Sequence, residues 1–315
     1  MRRLFTRARA LRDRGVLGIN QRNASLVLPL NPRRHYPRVD DKLLTKQLAH
    51  DAGIPTPALL GVVRYYHELA DLPALLAGRD AFVLKPARGA QGNGIIVITG
   101  ADGRTFRKSS GALLSAVQLH QHVSNTISGV FSLRGDPDAC LLEQRVILHP
   151  AFAEIAHRGI PDIRVVAYRG IPVMAMCRLP TAASDGRANL HQGAIGAGVA
   201  IASGTVTHAA MHHQSLTHHA DTGKPIIGTT IPHWDAILSL AVRAADMSGL
   251  GYLGVDVVVD ATRGPLLLEL NARPGLAIQI ANNEGLLPRL RRADALPDTV
   301  FATWSDRLHA ARALY

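Results

Sequence analysis

The chain is poor in cysteine and in aromatic residues, and each shortage excludes something. Cys140 and Cys177 are its only thiols in 315 residues. Neither stands in a C-x-x-C or other metal-spaced pair, so no disulfide framework or zinc ribbon is expected. They read as two buried apolar thiols in a reducing, cytoplasmic setting. Phe, Trp and Tyr make up 4% of the chain and none alternates with the basic residues, so no stacking platform for nucleic acid is visible. No apolar run approaches the roughly 18 residues that would argue for a membrane-spanning helix. The N-terminus is Arg-rich (Arg2, Arg3, Arg7, Arg9), but no continuous apolar stretch of roughly 7–15 residues follows, so a secretory signal is not indicated.

What is present is ample apolar material, 47% of the residues, in a length that suits two or three compact subdomains sharing a cleft. The net charge of +11 is unevenly placed. Residues 1–46 hold twelve Lys and Arg against Asp13, Asp40 and Asp41, which leaves only +2 for the rest. The excess is therefore an N-terminal arm, not a basic face spread over the fold. Such an arm could meet an acidic partner, form an oligomer contact, or be a solvated helix.

A coarse pass predicts a basic helix over 4–14 and an irregular polar stretch over 20–39 with Pro29, Pro32 and Pro37. A helix then starts at Asp40-Asp41, with Leu43, Leu44, Leu48 and Ala52 as its apolar stripe and Gly53 as its stop. Strands are expected at Phe82–Lys85 and Ile95–Ile98, a helix over 111–123, and a buried strand over 140–143. Two strands joined at Arg169-Gly170 fill 163–178, and 190–232 reads as loop with one strand near Val199–Ala202. A helix over 234–248, strands over 252–260 and 265–271, and closing helices complete the chain. Strands come in pairs rather than in β-α-β alternation, which predicts α+β with antiparallel sheets.

Three segments carry chemistry. Between two strands, Gly89, Gly92 and Gly94 let the backbone bring N–H groups close to phosphate oxygens, and Lys85 can reach a phosphate as a point charge. No Lys-Ser/Thr follows, so this is not a Walker loop. In Pro265-Leu266-Leu267-Leu268-Glu269-Leu270-Asn271, strand alternation puts Leu267, Glu269 and Asn271 on one face, with Asp256 adjacent on the preceding strand. Carboxylates among Val and Leu need a cation, and oxygen ligands at this density suit Mg²⁺, with Mn²⁺ as an alternative. Third, Asp162 and Arg164 share a strand face and Arg178 closes the next strand, a grouping suited to phosphate or carboxylate recognition. His208, His212, His213, His218 and His219 lack sharp metal spacing and read as a solvated loop.

These segments together resemble the ATP-grasp superfamily. They are Asp41-Lys42…Thr45, Phe82-Val83-Leu84-Lys85-Pro86 with its glycine loop, Leu142-Glu143-Gln144, Asp162-Ile163-Arg164, Asn189-Leu190-His191 and Leu268-Glu269-Leu270-Asn271-Ala272-Arg273-Pro274-Gly275. Within it the chain looks most like RimK-type alpha-L-glutamate ligases and the sugar-transfer-associated ATP-grasp proteins. The resemblance implies two α+β subdomains with antiparallel sheets clasping ATP. The implied division is a basic arm over 1–40, a linker helix and the start of the core over 41–79, a central lid over 80–143, and a C-terminal metal-bearing subdomain over 144–315. It implies that Lys42, Lys85 and the glycines Gly89, Gly92 and Gly94 hold the nucleotide phosphates. Glu143, Gln144 and Val146 match the adenine hinge, Asp162 the ribose position, and Asn189 a further nucleotide contact. Arg164, Arg178 and Arg273 match basic positions near the transferred phosphoryl group, and Asp256, Glu269 and Asn271 the magnesium ligands.

The activity so implied is ATP-dependent joining of a carboxylate to an amine through an acylphosphate, with ATP and the two substrates as partners. It needs positioned phosphates and Mg²⁺ but no side-chain nucleophile. The alternatives are a phosphotransferase on the same architecture and a non-catalytic, ATP-gated binding protein. One departure stands out: only about 40 residues precede Asp41-Lys42, where RimK-type ligases carry a longer N-terminal α/β subdomain.

Overall fold

The computed structural model describes residues 9–89, 92–102, 105–132 and 135–315. It divides into two compact units.

The smaller unit comprises Asp41–Gln47 and Thr56–Val146. Its sheet has six strands, β1 (Leu59–Val63), β2 (Phe82–Pro86), β3 (Ile96–Ala101), β4 (Thr105–Lys108), β5 (Leu113–Ser115) and β6 (Cys140–Gln144). All pair antiparallel in the order β1-β6-β2-β3-β4-β5. The helix expected over 111–123 runs instead from Ala116 to Ile127, because 113–115 pairs with β4. Ser115 marks the start: its hydroxyl accepts from Gln118 N while Gln118 Oε1 accepts from Ser115 N, a reciprocal cap. Leu119, Val123 and Ile127 then face Phe82, Leu84 and Ile98 in the core.

The larger unit comprises Met1–Asp40, Leu48–Pro55 and Ile147–Tyr315. Its seven antiparallel strands are β7 (Asp162–Tyr168), β8 (Ile171–Leu179), β9 (Ile195–Val199), β10 (Val206–Met211), β11 (Gln214–Leu216), β12 (Tyr252–Asp260) and β13 (Gly264–Asn271). They lie in the order β11-β10-β9-β8-β7-β12-β13. The Trp234–Ser248 helix packs on this sheet through Ile237, Leu238, Ala241 and Ala245.

Four expectations are corrected. Residues 20–39 are not irregular: short helical turns run through Ile19–Arg22, Asn23–Val27, Leu28–Leu30, Arg33–His35 and Pro37–Asp40. Pro37 falls in a first turn, where a missing N–H costs nothing, Pro29 lies near the end of the unbroken helical run 19–30, just after its π-helical stretch, and Leu26, Val27 and Val39 are buried. Leu17, Leu26, Val27 and Val39 of the arm therefore belong to the core of its unit. Of the expected helix over 4–14, residues 9–13 are helical with Leu11 exposed, and 4–8 lie outside the described residues.

The region 190–232 contains three strands, not one. Gly196 and Gly198 make β9 look like loop, yet a Cβ on Gly198 would lie 2.5 Å from Ala281 O, so the glycines admit a close neighbour. The two-residue turn His212-His213 has φ of 47° and 69°. His219 is buried rather than solvated, with Nε2 3.0 Å from Pro180 O.

In the Lys42–Asp51 helix the buried positions are Thr45 and Ala49, while Leu44 is exposed. Lys46, next to Thr45, turns its ammonium to Glu143. Both cysteines are buried and free. Among the described residues no helix is long and apolar enough to cross a membrane.

Candidate active site

In the larger unit, strand register alone assembles a charged cluster. Asp162 lies opposite Arg178 across β7 and β8, Arg164 opposite Asp256 across β7 and β12, and Asp256 opposite Glu269 across β12 and β13. Direct cross-strand neighbours hold their Cβ atoms within reach of one another.

The strand β13 does not alternate evenly. Its register slips between the Asp256–Glu269 and Val257–Leu267 pairs, leaving Leu268 as an extra residue. Such a bulge re-aims side chains. Leu267 goes to the core, while Glu269 stays beside Asp256, and Asn271 Nδ2 donates to Asp256 Oδ2 at 3.2 Å. The expectation that Leu267, Glu269 and Asn271 share a face holds only for the last two.

Asp256 is fully buried and its oxygens are crowded with donors. Arg164 grips it bidentately, Nε on Oδ1 and Nη2 on Oδ2 at 2.6 Å. Arg178 Nη2 lies 2.9 Å from the same Oδ2 and also donates to Asp162 Oδ2. Burial would raise the Asp256 pKa, but Arg164 and Arg178 together outweigh it and hold the carboxyl well below the usual range. Asp162 goes the other way. Burial pushes its pKa up and the Asp256 and Glu269 charges add to this, against the pull of Arg178 and Arg164. Its Oδ1 is buried without a hydrogen-bond partner among the described residues.

Three carboxylates against two guanidiniums leave this cluster one positive charge short when all are ionised. A proton on Asp162 or a bound cation would balance it. Among the described residues no group of three or more His, Cys, Asp or Glu side chains could hold a metal alone. Glu269 and Asn271 nevertheless offer hard oxygens beside Asp256, which fits Mg²⁺, an ion that takes one or two carboxylates and fills its shell with water and phosphate.

The smaller unit carries a second cluster. Glu143, 2% exposed, pairs through Oε2 with Lys85 Nζ at 2.7 Å and through Oε1 with Lys46 Nζ at 2.9 Å. In the β2–β6 ladder Val83 faces Glu143, which makes Lys85 its diagonal neighbour. Lys42 Nζ donates to Gly89 O at 2.7 Å. A Cβ on Gly89 would sit 2.3 Å from Pro86 Cγ, and Gly94, at φ +75°, has Phe131 2.6 Å from the equivalent point. Both positions require glycine. Ala90 and Gln91 of this loop lie outside the described residues.

The remaining candidates have other partners. Gln144 N donates to Ala58 O, just before β1. Asn189 Oδ1 caps the Leu190–Gln192 turn by accepting from His191 N at 3.0 Å. Arg273 lies over the Tyr36 ring, 4.8 Å from its centroid. Sequence reasoning missed Lys46, although it stands one helical turn beyond Lys42 and shares its face. It also missed Asn31, which is buried and clamps Tyr252 N, Tyr252 O and Ala272 O from the N-terminal segment.

A probable alpha-L-glutamate ligase of Klebsiella pneumoniae is 26% identical over 248 residues, covering 79% of this chain and 60% of that protein. The ribosomal protein bS6–L-glutamate ligase of Salmonella paratyphi B is 27% identical over the same share of each. The chain thus spans 60% of the length of these curated relatives. Among solved structures, the ATP-grasp ligase PsnB with a phosphomimetic variant of its minimal precursor, Mg and ADP is 16% identical, with a TM-score of 0.47 over 84% of this chain and 60% of that one. Residues 21–295 match the family described as sugar-transfer associated ATP-grasp. The matched span takes in both charged clusters and Asn31, and the chain belongs to that family.

Proposed function

We propose that the protein is an ATP-dependent ligase that joins a carboxylate to an amine. The observation that carries the reading is the largely buried row Arg178–Asp162–Arg164–Asp256 beside Glu269 and Asn271. Family membership and the glutamate-ligase relatives support it.

A carboxylate does not react usefully with an amine, because hydroxide is a poor leaving group. A carboxylate oxygen that attacks the γ-phosphorus of ATP releases ADP and yields an acylphosphate. The amine nitrogen then attacks the acyl carbon, loses a proton, and phosphate departs. Such chemistry is positioning and charge stabilisation, with no protein nucleophile.

In this reading Lys42, Lys85 and the glycines Gly89, Gly92 and Gly94 bind nucleotide phosphates, and Glu143 fixes the direction of the Lys85 ammonium. Glu143, Gln144 and Val146 flank the base, while Asp162 and Asn189 serve the sugar side. Glu269 and Asn271, with Asp256, would hold Mg²⁺ (or Mn²⁺), which when bound spreads the charge on the phosphates. Asp256 keeps Arg164 and Arg178 rigid, so their guanidiniums meet developing negative charge without reorganising. Arg273 acts on the same side, and an amino acid such as glutamate is the substrate class the relatives suggest.

The test is incubation with Mg-ATP and pools of amino acids and peptides, reading ADP and product mass. An amide product formed one-for-one with ADP is expected. A phosphorylated product without an amide would make the protein a phosphotransferase instead.

A further inference from the structure

Arg22 is a buried cation that the charge network leaves out. It is 7% exposed. Its Nε and Nη2 donate to Asn23 Oδ1 at 3.1 and 2.8 Å, and its Nη1 to Pro274 O at 2.9 Å. Among the described residues no carboxylate pairs with it. A guanidinium has five N–H donors; these bonds use three and leave one on each terminal nitrogen. Taking such a charge out of water is costly, and neutral oxygens offset only part of the cost.

The place of Arg22 in the fold says where an anion would sit. Pro274 follows Asn271 by three residues, on the turn that leaves β13. The neighbouring Arg273 is held over Tyr36, and among the described residues it too has no carboxylate. Burial raises the Tyr252 hydroxyl to about 12, and the charges of both Arg22 and Arg164 oppose that rise. Arg22 therefore acts on the same buried hydroxyl as the arginine that grips Asp256. Asn23 orients its guanidinium, as a supporting residue does for a binding group.

We infer that Arg22, with Arg273, forms an oxyanion site on the Arg273-Pro274-Gly275 turn that takes the carboxylate of an acidic substrate. The donor pair left on Nη1 and Nη2 suits bidentate binding of such a group. The inference rests on the ligase reading for the identity of the anion. A nucleotide phosphate has the same chemistry, and the experiment distinguishes the two.

The full chain is titrated with Mg-AMPPNP, then with L-glutamate and, separately, inorganic phosphate, by calorimetry. In the Arg22→Gln variant glutamate or phosphate affinity should fall by about tenfold or more, as expected for losing hydrogen bonds to a charged group. AMPPNP affinity should change by less than about twofold. An equal fall in AMPPNP affinity would assign the anion to the nucleotide and overturn the substrate-carboxylate site. Unchanged binding of all three, or a wild type that binds AMPPNP but neither anion, overturns it as well. Arg22-dependent glutamate binding in a protein that ignores AMPPNP would uphold the site and sink the ligase reading instead. Should Arg22→Gln fail to fold, the Arg22 Nε resonance of the wild type decides: a saturable shift with glutamate supports the site, and none refutes it.

Discussion

Arg178 lies directly across the β7–β8 ladder from Asp162, and the same Nη2 that donates to Asp162 also stands 2.9 Å from Asp256 Oδ2. One guanidinium thus holds two carboxylates that would otherwise repel. Arg178→Met should leave both buried and under-compensated, costing about 3–5 kcal/mol of stability. Denaturant unfolding measures this, and a loss near zero would show that the cluster is not cohesive.

The two aspartates predict opposite responses to pH. Asp256 has a folded pKa below its ordinary 3.8, so the stability it contributes is present above pH 3.8 and is lost as pH falls toward its lowered value. Asp162 has a folded pKa raised above 3.8. The folded state keeps a proton that the unfolded state releases, so stability declines as pH rises from 3.8 toward that raised value. Asp162→Asn should flatten the decline above pH 3.8 while leaving the acid limb. Titrating unfolding free energy from pH 3 to 8 in both proteins checks the sign; a variant curve parallel to wild type above pH 4 would refute it.

Removing the carboxylate proposed to face the metal should separate chemistry from folding. Glu269 is half-buried and outside the direct Arg164–Asp256 grip. Glu269→Gln should keep the melting temperature within a few degrees and lower Mg-dependent ADP formation by roughly 100-fold or more, since a lost metal ligand removes several kcal/mol of charge stabilisation. Turnover at the wild-type level would remove Glu269 from the site.

The N-terminal segment should behave as core. Asn31→Ala strands Tyr252 N and O and Ala272 O in a buried place, at about 1–3 kcal/mol for each group left unsatisfied. Thermal unfolding of this variant against the unaltered chain measures the loss, and an unchanged transition would show that Asn31 does not hold the segment to the core.

Much of this was readable in the sequence because local rules agreed with the fold. The Trp234–Ser248 helix and the β12–β13 pair fall within a residue of where periodicity and turn signals put them. The charged cluster followed from two strand-borne motifs whose register is fixed by a two-residue turn at Arg169-Gly170 and by Asp260, which accepts from Thr262 N and Arg263 N. What stayed hidden was non-local. The bulge at Leu268 depends on how β13 meets β12, and β9 is disguised by Gly196 and Gly198, which admit residues 281 and 282 closely. The burial of Arg22 and Asn31 comes from contacts more than 200 residues away in the chain, which no local pattern announces.

The most direct measurement of the ligase claim follows oxygen. An acid substrate labelled with ¹⁸O in its carboxyl group is turned over with Mg-ATP and amine, and the released inorganic phosphate is weighed by mass spectrometry. An acylphosphate route places one carboxyl ¹⁸O in phosphate for every amide formed. Amide formation with unlabelled phosphate, or ADP release with the label retained entirely in a phosphorylated product, would contradict the account.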